Sequence, residues 1–276
     1  MYYLIGSEGF LGKKIQNILP NNKVIKISTS GKKGTIKNNT IITKKITYKI
    51  LPKWIDTIKS TDTVILLSNP GTIAFYQNNK KKIESFEENL ENKFFSKIDK
   101  KTKIIFFSSD MIFSGNKKYF SDSSKPCAIN NYGKSKIRIE KIIKRYFKNY
   151  IIIRFPKIYS KNIKDKTIYL EIKEALKKNV YLNLFTNQLV HYLDLRDFID
   201  GFRAIIKNLD NLNGTFNFPG NLFTSRYLFA KKIVNKNLHS KNLIPIKLNS
   251  KFKHLPKRLK MKTYLFKKIK FKPAFK

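Results

Sequence analysis

The fold is decided at the amino terminus, in Tyr2-Tyr3-Leu4-Ile5-Gly6-Ser7-Glu8-Gly9-Phe10-Leu11-Gly12. Tyr2 to Ile5 form a short apolar run of the kind buried in a parallel sheet. Three glycines spaced G-x-x-G-x-x-G follow at once. Apolar residues Phe10, Leu11, Ile15, Ile18 and Leu19 set a helical period that begins inside the motif. A strand, a glycine turn and a helix start in this order predict a cradle for a pyrophosphate. Backbone N–H groups face the anion, and missing Cβ atoms allow its close approach. Gly6, Ser7, Gly9, Phe10, Leu11 and Gly12 are therefore the first candidate cofactor contacts.

Working outward, Val24 to Ile27 read as a second strand, ending in Ser28-Thr29-Ser30-Gly31-Lys32-Lys33. NAD enzymes usually place a carboxylate here for the ribose hydroxyls. None occurs between Glu8 and Asp56. Hydroxyls and lysines, Ser28 and Lys32 among them, suit a 2′-phosphate, which tilts the expectation from NAD(H) slightly toward NADP(H). Thr63 to Leu67 form a third strand, and the Ser68-Asn69-Pro70 loop after it is expected to line the cofactor crevice. A polar helix over about 79–98 and a strand over Lys103 to Phe107 follow. Alternation of strands and helices predicts an α/β fold: a Rossmann-type, doubly wound parallel sheet.

The next stretch carries the chemistry. Ser108 and Ser109 close the Lys103–Phe107 strand, and Tyr132-Gly133-Lys134-Ser135-Lys136 opens a helix. Tyr132 and Lys136, four apart, share one helix face. An ammonium beside a phenol favours phenolate and lowers the tyrosine pKa toward working pH. Such a tyrosine can give a proton to, or take one from, a carbonyl or alcohol oxygen while hydride moves. Ser109 would hold that oxygen, making Ser109, Tyr132 and Lys136 the candidate catalytic set.

Composition qualifies these readings. The 276 residues carry 58 Lys+Arg against 18 Asp+Glu, a formal net charge of +40. Such a charge invites a nucleic-acid reading. Only 7 of the basic residues are Arg, however, and 51 are Lys. Nucleic-acid readers favour Arg for bidentate contacts, so the lysine excess is read mainly as compositional and no nucleic-acid partner is expected. A hydrophobic fraction of 41% with 22 Phe and 14 Tyr excludes a disordered basic tail. No apolar run is long enough to cross a bilayer, and the amino terminus lacks a basic segment leading into a long apolar one. Neither membrane nor secretion is expected, and a cytoplasmic location is. Cys127 is the single cysteine; it can form no intrachain disulfide, and no metal site is expected.

On these motifs the chain resembles the extended short-chain dehydrogenase/reductases acting on nucleotide sugars. Gly6 to Gly12 is similar to the family's G-x-x-G-F-L-G, and Ser109, Tyr132 and Lys136 match its catalytic set. Arg154-Phe155-Pro156-Lys157-Ile158-Tyr159 resembles its R-x-x-x-V-Y segment, and Gly214 to Phe218 its G-x-Y/F-N strand. Phe107-Ser108-Ser109-Asp110-Met111-Ile112-Phe113-Ser114-Gly115 is similar to the S-T-D-Y-V-F-D-G stretch of dTDP-4-dehydrorhamnose reductases. The 4,6-dehydratases carry a Glu directly after the Asp; Met111 stands there instead and cannot act as a base.

The resemblance implies a dinucleotide-binding domain over 1–160 and a smaller substrate-binding lobe over 161–276, partly interleaved with the sheet. It implies a nicotinamide cofactor touching Ser108, Tyr132, Lys136 and Phe155 besides the loops named above. It also implies a nucleotide-sugar substrate near Ser109, Asp110, Met111, Phe113, Pro156 and His191, and a homodimer. The implied reaction is reduction of a nucleotide-activated 4-keto sugar with Tyr132 as proton donor. A sugar-nucleotide epimerase and an idle binding or regulatory subunit are the alternatives. Within the lobe, helices are expected over 166–178, Asp194 to Lys207 and about Thr224 to Val234, and strands over Leu182 to Phe185, 215–218 and Ile244 to Leu248. Asp194 and Asp197 are read as helix caps, Trp54 as core and Cys127 as inert.

Overall fold

Short continuous apolar runs become strands and the longer periodic segments become helices, in chain order. The first half runs β1 (Tyr2–Ile5), α1 (Phe10–Gln16), β2 (Val24–Ser28), β3 (Ile36–Lys37), β4 (Thr40–Ile42), β5 (Thr63–Leu66), α2 (Ile73–Asn78), α3 (Lys80–Asn89), β6 (Lys103–Ser109), α4 (Asn131–Tyr146) and β7 (Tyr150–Phe155). Then come β8 (Lys157–Tyr159), α5 (Ile168–Lys177), β9 (Leu182–Phe185), β10 (Leu189–Asp194), α6 (Leu195–Lys207) and β11 (Gly214–Asn217). Last are β12 (Leu222–Ser225), α7 (Arg226–Ile233), β13 (Leu243–Ile246), β14 (Arg258–Leu259) and α8 (Leu265–Lys268). This computed structural model describes residues 1–20, 23–28, 36–37, 40–42, 53–162, 164–233 and 240–274. Lys32 and the rest of its loop, His239 and the end of the 224–234 helix at Val234 lie outside the described residues.

The chain divides into two compact units, each discontinuous. The first comprises 1–109, 131–154 and 202–216, and the second 110–130, 155–201 and 217–276. The first is built on a sheet of order β11-β7-β6-β5-β1-β2-β4-β3. Its central pairs are parallel: Tyr2 lies opposite both Val24 and Thr63, and Leu66 lies opposite Phe106. β5 is buried at all its positions, as a strand covered on both faces must be. One face packs Tyr3, Ile5, Val64, Leu66, Ile104 and Phe106 against Trp54, Phe94, Phe95, Ile139 and Ile143. Trp54 is core, stacked beside Tyr3 with ring centroids 6.1 Å apart.

The second unit holds β10 at the centre of a small sheet, antiparallel to β12 and parallel to β14 and β8. A separate parallel pair joins β9 to β13. Tyr159, Ile168, Ile172, Leu176, Tyr192 and Phe229 form its core, with Tyr192 stacked on Phe229 at 4.0 Å.

Several elements differ from their sequence reading. α1 stops at Gln16, short of Ile18 and Leu19, because Leu19 precedes Pro20 and is steered out of the helical region. The helix expected over 79–98 starts earlier, as α2, and does not end as an α-helix. After α3 it widens into a π turn over Leu90–Phe94 and tightens into a 3₁₀ turn over Phe95–Lys97. Leu90, Phe94 and Phe95 all reach 0% exposure in this way. β6 runs two residues further than expected, taking Ser108 and Ser109 into the strand. β3, β4, β8, β10, β12 and β14 have no counterpart in the sequence reading, and α7 starts after β12 rather than at Thr224. Asp194 does cap α6, accepting from the Arg196 N–H at 2.9 Å. Asp197 lies in the first turn of α6 and also accepts from the Ala274 N–H at 2.8 Å.

Candidate active site

In the first unit β1, β5 and β6 run side by side and parallel, so the segments leaving their carboxyl ends are neighbours at about 4.8 Å per strand. Those segments are the glycine loop, Ser68-Asn69-Pro70 and the Ser108-Ser109 strand end. Gly6 has φ +93°, and a Cβ there would lie 3.1 Å from the Ser68 nitrogen. A Cβ on Gly12 would meet the Gly6 carbonyl oxygen at 2.2 Å and the Ser7 oxygen at 2.6 Å. The start of α1 therefore sits directly on the loop, a closeness only glycine permits. Gly9 at the helix cap provides no side-chain acceptor, so the first-turn N–H groups have no side-chain cap. Phe10 and Leu11 of that turn are half-buried. This cradle fits the pyrophosphate of a dinucleotide.

Lys136 lies on α4, one turn after Tyr132. It is 4% exposed, and its ammonium donates to the Phe107 carbonyl of β6 at 3.2 Å. It lies 4.9 Å from the Phe106 ring centroid and 5.6 Å from that of Tyr132. Burial lowers its pKa to about 8, while the Glu140 carboxylate pulls the other way. The ammonium thus stays charged at neutral pH inside a hydrophobic wall. Ser109 is 8% exposed at the end of the strand that Lys136 reaches.

Tyr132 gains a neighbour that the sequence did not announce. The Tyr76 ring of α2 stands perpendicular to it at 5.1 Å. The Tyr76 hydroxyl donates to Asn69 Oδ1 at 2.5 Å, and the Asn69 amide donates to the Gly71 carbonyl at 2.7 Å. Burial raises the Tyr76 pKa far above the phenol range, so Tyr76 stays neutral. Gln77, next to it, accepts from the Asn131 N–H at 3.2 Å and caps α4 just before Tyr132. No spacing rule reaches from α2 to α4, which is why neither residue was found.

The remaining expected contacts divide by environment. Ser28 is buried at the end of β2, and Ser68 and Pro70 are half-buried with Asn69 exposed. Ser7 turns inward at 0% exposure; its N–H and hydroxyl both donate to the Ile27 carbonyl, at 3.1 and 3.2 Å. Ser108 also turns inward and donates to Glu140 at 2.6 Å.

In the second unit, Asp110 and Met111 form a 3₁₀ turn with Ile112. The Asn130 amide donates to the His254 carbonyl at 3.2 Å and lies 3.9 Å from the Met111 sulfur. Phe113 is fully buried, stacked on Phe120 at 4.4 Å. Phe155 packs between Phe198 and Phe218, each at 5.3 Å, and Pro156 follows it, buried. His191 is 6% exposed, and its Nδ1 is 2.6 Å from the Gly220 carbonyl oxygen. Burial lowers its pKa to about 4. It is a neutral side chain inside β10, more a strut than a reaching hand. Among the described residues no group of three His, Cys, Asp or Glu side chains could hold a metal ion, and no helix is long and apolar enough to cross a membrane.

A family model, the RmlD substrate binding domain, matches residues 97–273. The chain belongs to this family. The resemblance to extended short-chain dehydrogenase/reductases of the nucleotide-sugar reductase kind thus stands. The fold agrees too. The dTDP-4-dehydrorhamnose reductase of Bacillus anthracis in complex with NADP is 16% identical, with TM-score 0.72 over 99% of this chain and 93% of that one. A hypothetical dTDP-4-dehydrorhamnose reductase from Sulfolobus tokodaii is 21% identical, with TM-score 0.75 over 97% and 94%. Among curated proteins, the rat methionine adenosyltransferase 2 subunit beta is 26% identical over 52% of this chain and 45% of its own length. The chain therefore spans about half the length of the curated relatives it matches.

Proposed function

We propose that the chain is an NAD(P)H-dependent reductase of a nucleotide-activated 4-keto sugar, of the dTDP-4-dehydrorhamnose reductase type. The observation that carries this is the buried Lys136 Nζ lying 5.6 Å from the Tyr132 ring centroid, on the helix that follows strand-end Ser109. In this reading the first unit holds the cofactor and the second the sugar nucleotide. A nicotinamide cofactor in the glycine cradle would supply hydride, with NADP(H) slightly favoured over NAD(H). The Ser109 hydroxyl donates a hydrogen bond to the keto oxygen and orients it. Tyr132 delivers its phenolic proton to that oxygen as charge develops there. Lys136 stabilises the phenolate left behind and presents its ammonium to the cofactor's ribose. Asp110 and Met111, directly after Ser109, are placed to shape the sugar subsite, and Met111 supplies no base for elimination.

The test is to mix the protein with NADPH or NADH and a dTDP-4-keto-6-deoxyhexose and to follow loss of the reduced nicotinamide. Turnover with one of them supports the reading, and none with either refutes it. The likeness to a methionine adenosyltransferase subunit favours a second reading, a non-catalytic binding subunit. That reading predicts dinucleotide binding without turnover of any keto sugar.

A further inference from the structure

Lysine drift does not account for one feature of the first unit. In a chain with 7 Arg and 18 acids among 276 residues, one of each forms a pair with no access to water. Arg154 of β7 and Glu140 of α4 are each 2% exposed. Arg154 Nε donates to Glu140 Oε1 at 3.1 Å, and its Nη2 donates to Oε2 at 2.8 Å. The same Oε1 accepts from the Ser108 hydroxyl of β6 at 2.6 Å. One carboxylate thus ties a helix to two strands at the residue before Ser109. It stands one helical turn beyond Lys136, as Lys136 stands one turn beyond Tyr132. A buried ion pair is poor evidence of a contribution to stability, because desolvation offsets its attraction. Its placement therefore calls for another reason.

We propose that Glu140 is a positioning residue for the Tyr132–Lys136 pair, holding the Lys136 ammonium charged and the Ser108–Ser109 strand end in register with α4. The groups facing Lys136 are few. On its own helix they are Tyr132 and Glu140. Tyr76 of α2 packs on Tyr132 and is neutral. β6 offers the Phe106 ring and the Phe107 carbonyl, neither of which titrates. Arg154 of β7 is a further charge, bound to Glu140, and the Lys144 ammonium, one turn beyond on α4, acts on both Glu140 and Arg154. Glu140 is the anion that opposes the desolvation of Lys136. Arg154 in turn engages both carboxylate oxygens of Glu140 and fixes their orientation. Only the consequence for proton transfer rests on the catalytic reading of Tyr132 and Lys136. The electrostatic claim stands apart from it.

The test reads Lys136 directly. Protein labelled with ¹³C at lysine Cε is titrated by NMR, with the Lys136 signal assigned from Lys136→Arg. The parent midpoint is expected near 8, and Glu140→Gln should lower it by about one unit or more. Glu140→Asp, which keeps the charge, should restore it. Ser108→Ala, which removes a hydrogen bond and no charge, should leave it unmoved. Should Glu140→Gln fail to fold, Glu140→Gln with Arg154→Leu leaves no orphan charge, and a lowered midpoint is again expected. An unmoved midpoint in the folded Gln variant overturns the proposal, as does an equal fall in Ser108→Ala. If the parent reduces a keto sugar, the pH profile of kcat should shift with the midpoint. If it does not, the titration still decides.

Discussion

Replacing Gly12 by Ala tests the cradle at its tightest point. The new Cβ would lie 2.2 Å from the Gly6 oxygen and 2.6 Å from the Ser7 oxygen. Both are backbone atoms of the loop between β1 and α1, so neither can swing aside. Bringing the shorter contact to the lowest separation that real Cβ atoms show, 3.0 Å, requires α1 to retreat by about 0.8 Å. Overpacking of that kind costs about 1–3 kcal/mol. At roughly 2–4 °C per kcal/mol for a chain of this size class, the melting temperature should fall by roughly 2–12 °C. Affinity for NADPH or NADH should fall by about tenfold or more, as the helix start leaves the phosphate position. Gly71→Ala is the control. Its Cβ would meet Phe75 Cγ, Cβ and Cδ1 at 2.6–2.8 Å, a clash of similar depth outside the glycine loop, so it should lower the melting temperature without shifting the start of α1. Differential scanning fluorimetry and a nicotinamide fluorescence titration measure both variants. A Gly12→Ala protein that melts within about 1 °C of the parent and binds as tightly would refute the close-packed cradle.

Further outcomes follow from Lys136 and His191, both buried and titratable. Lys136→Met should abolish turnover yet raise the melting temperature at pH 7, because a desolvated ammonium is destabilising. Burial lowers the pKa of Lys136 from 10.5 to about 8, worth about 3 kcal/mol. The unfolded state binds more protons between pH 8 and 10.5, so the parent gains stability as pH rises through that window. The advantage of the Met variant should shrink over the same interval, and thermal melts at pH 7, 9 and 10.5 check it. His191 is lowered from 6.5 to about 4. Its neutral form contributes stability that is fully present above pH 6.5 and is lost as pH falls toward 4, about 3 kcal/mol in all. In urea titrations His191→Gln should lose correspondingly less over that range.

The central strands and the glycine turn of the first unit were legible because their signals are local. β1, β5 and β6 are continuous apolar runs, and the glycine spacing fixes how α1 meets them. Tyr132 and Lys136 could be paired from helical periodicity alone, and so could Glu140, one further turn along. What escaped depends on tertiary partners. β10, with its polar His191, became a strand because β8, β12 and β14 flank it. β14 is only two residues long, too short for any period to show. Tyr76 reaches Tyr132 from a different helix. Ser7, Phe113 and His191 have the chemistry of ligand contacts, and only burial shows that their side chains face inward.

The central claim, net hydride delivery to a keto sugar with Tyr132 as the proton source, is tested most directly by isotope transfer. NADPH or NADH deuterated at the transferable position is incubated with a dTDP-4-keto-6-deoxyhexose, and the product is analysed by mass spectrometry and NMR. Deuterium at the former keto carbon in stoichiometric product is predicted, with the rate falling by about 10²–10⁴ in Tyr132→Phe. Epimerised sugar without deuterium, no product at all, or an unchanged rate in Tyr132→Phe would contradict it.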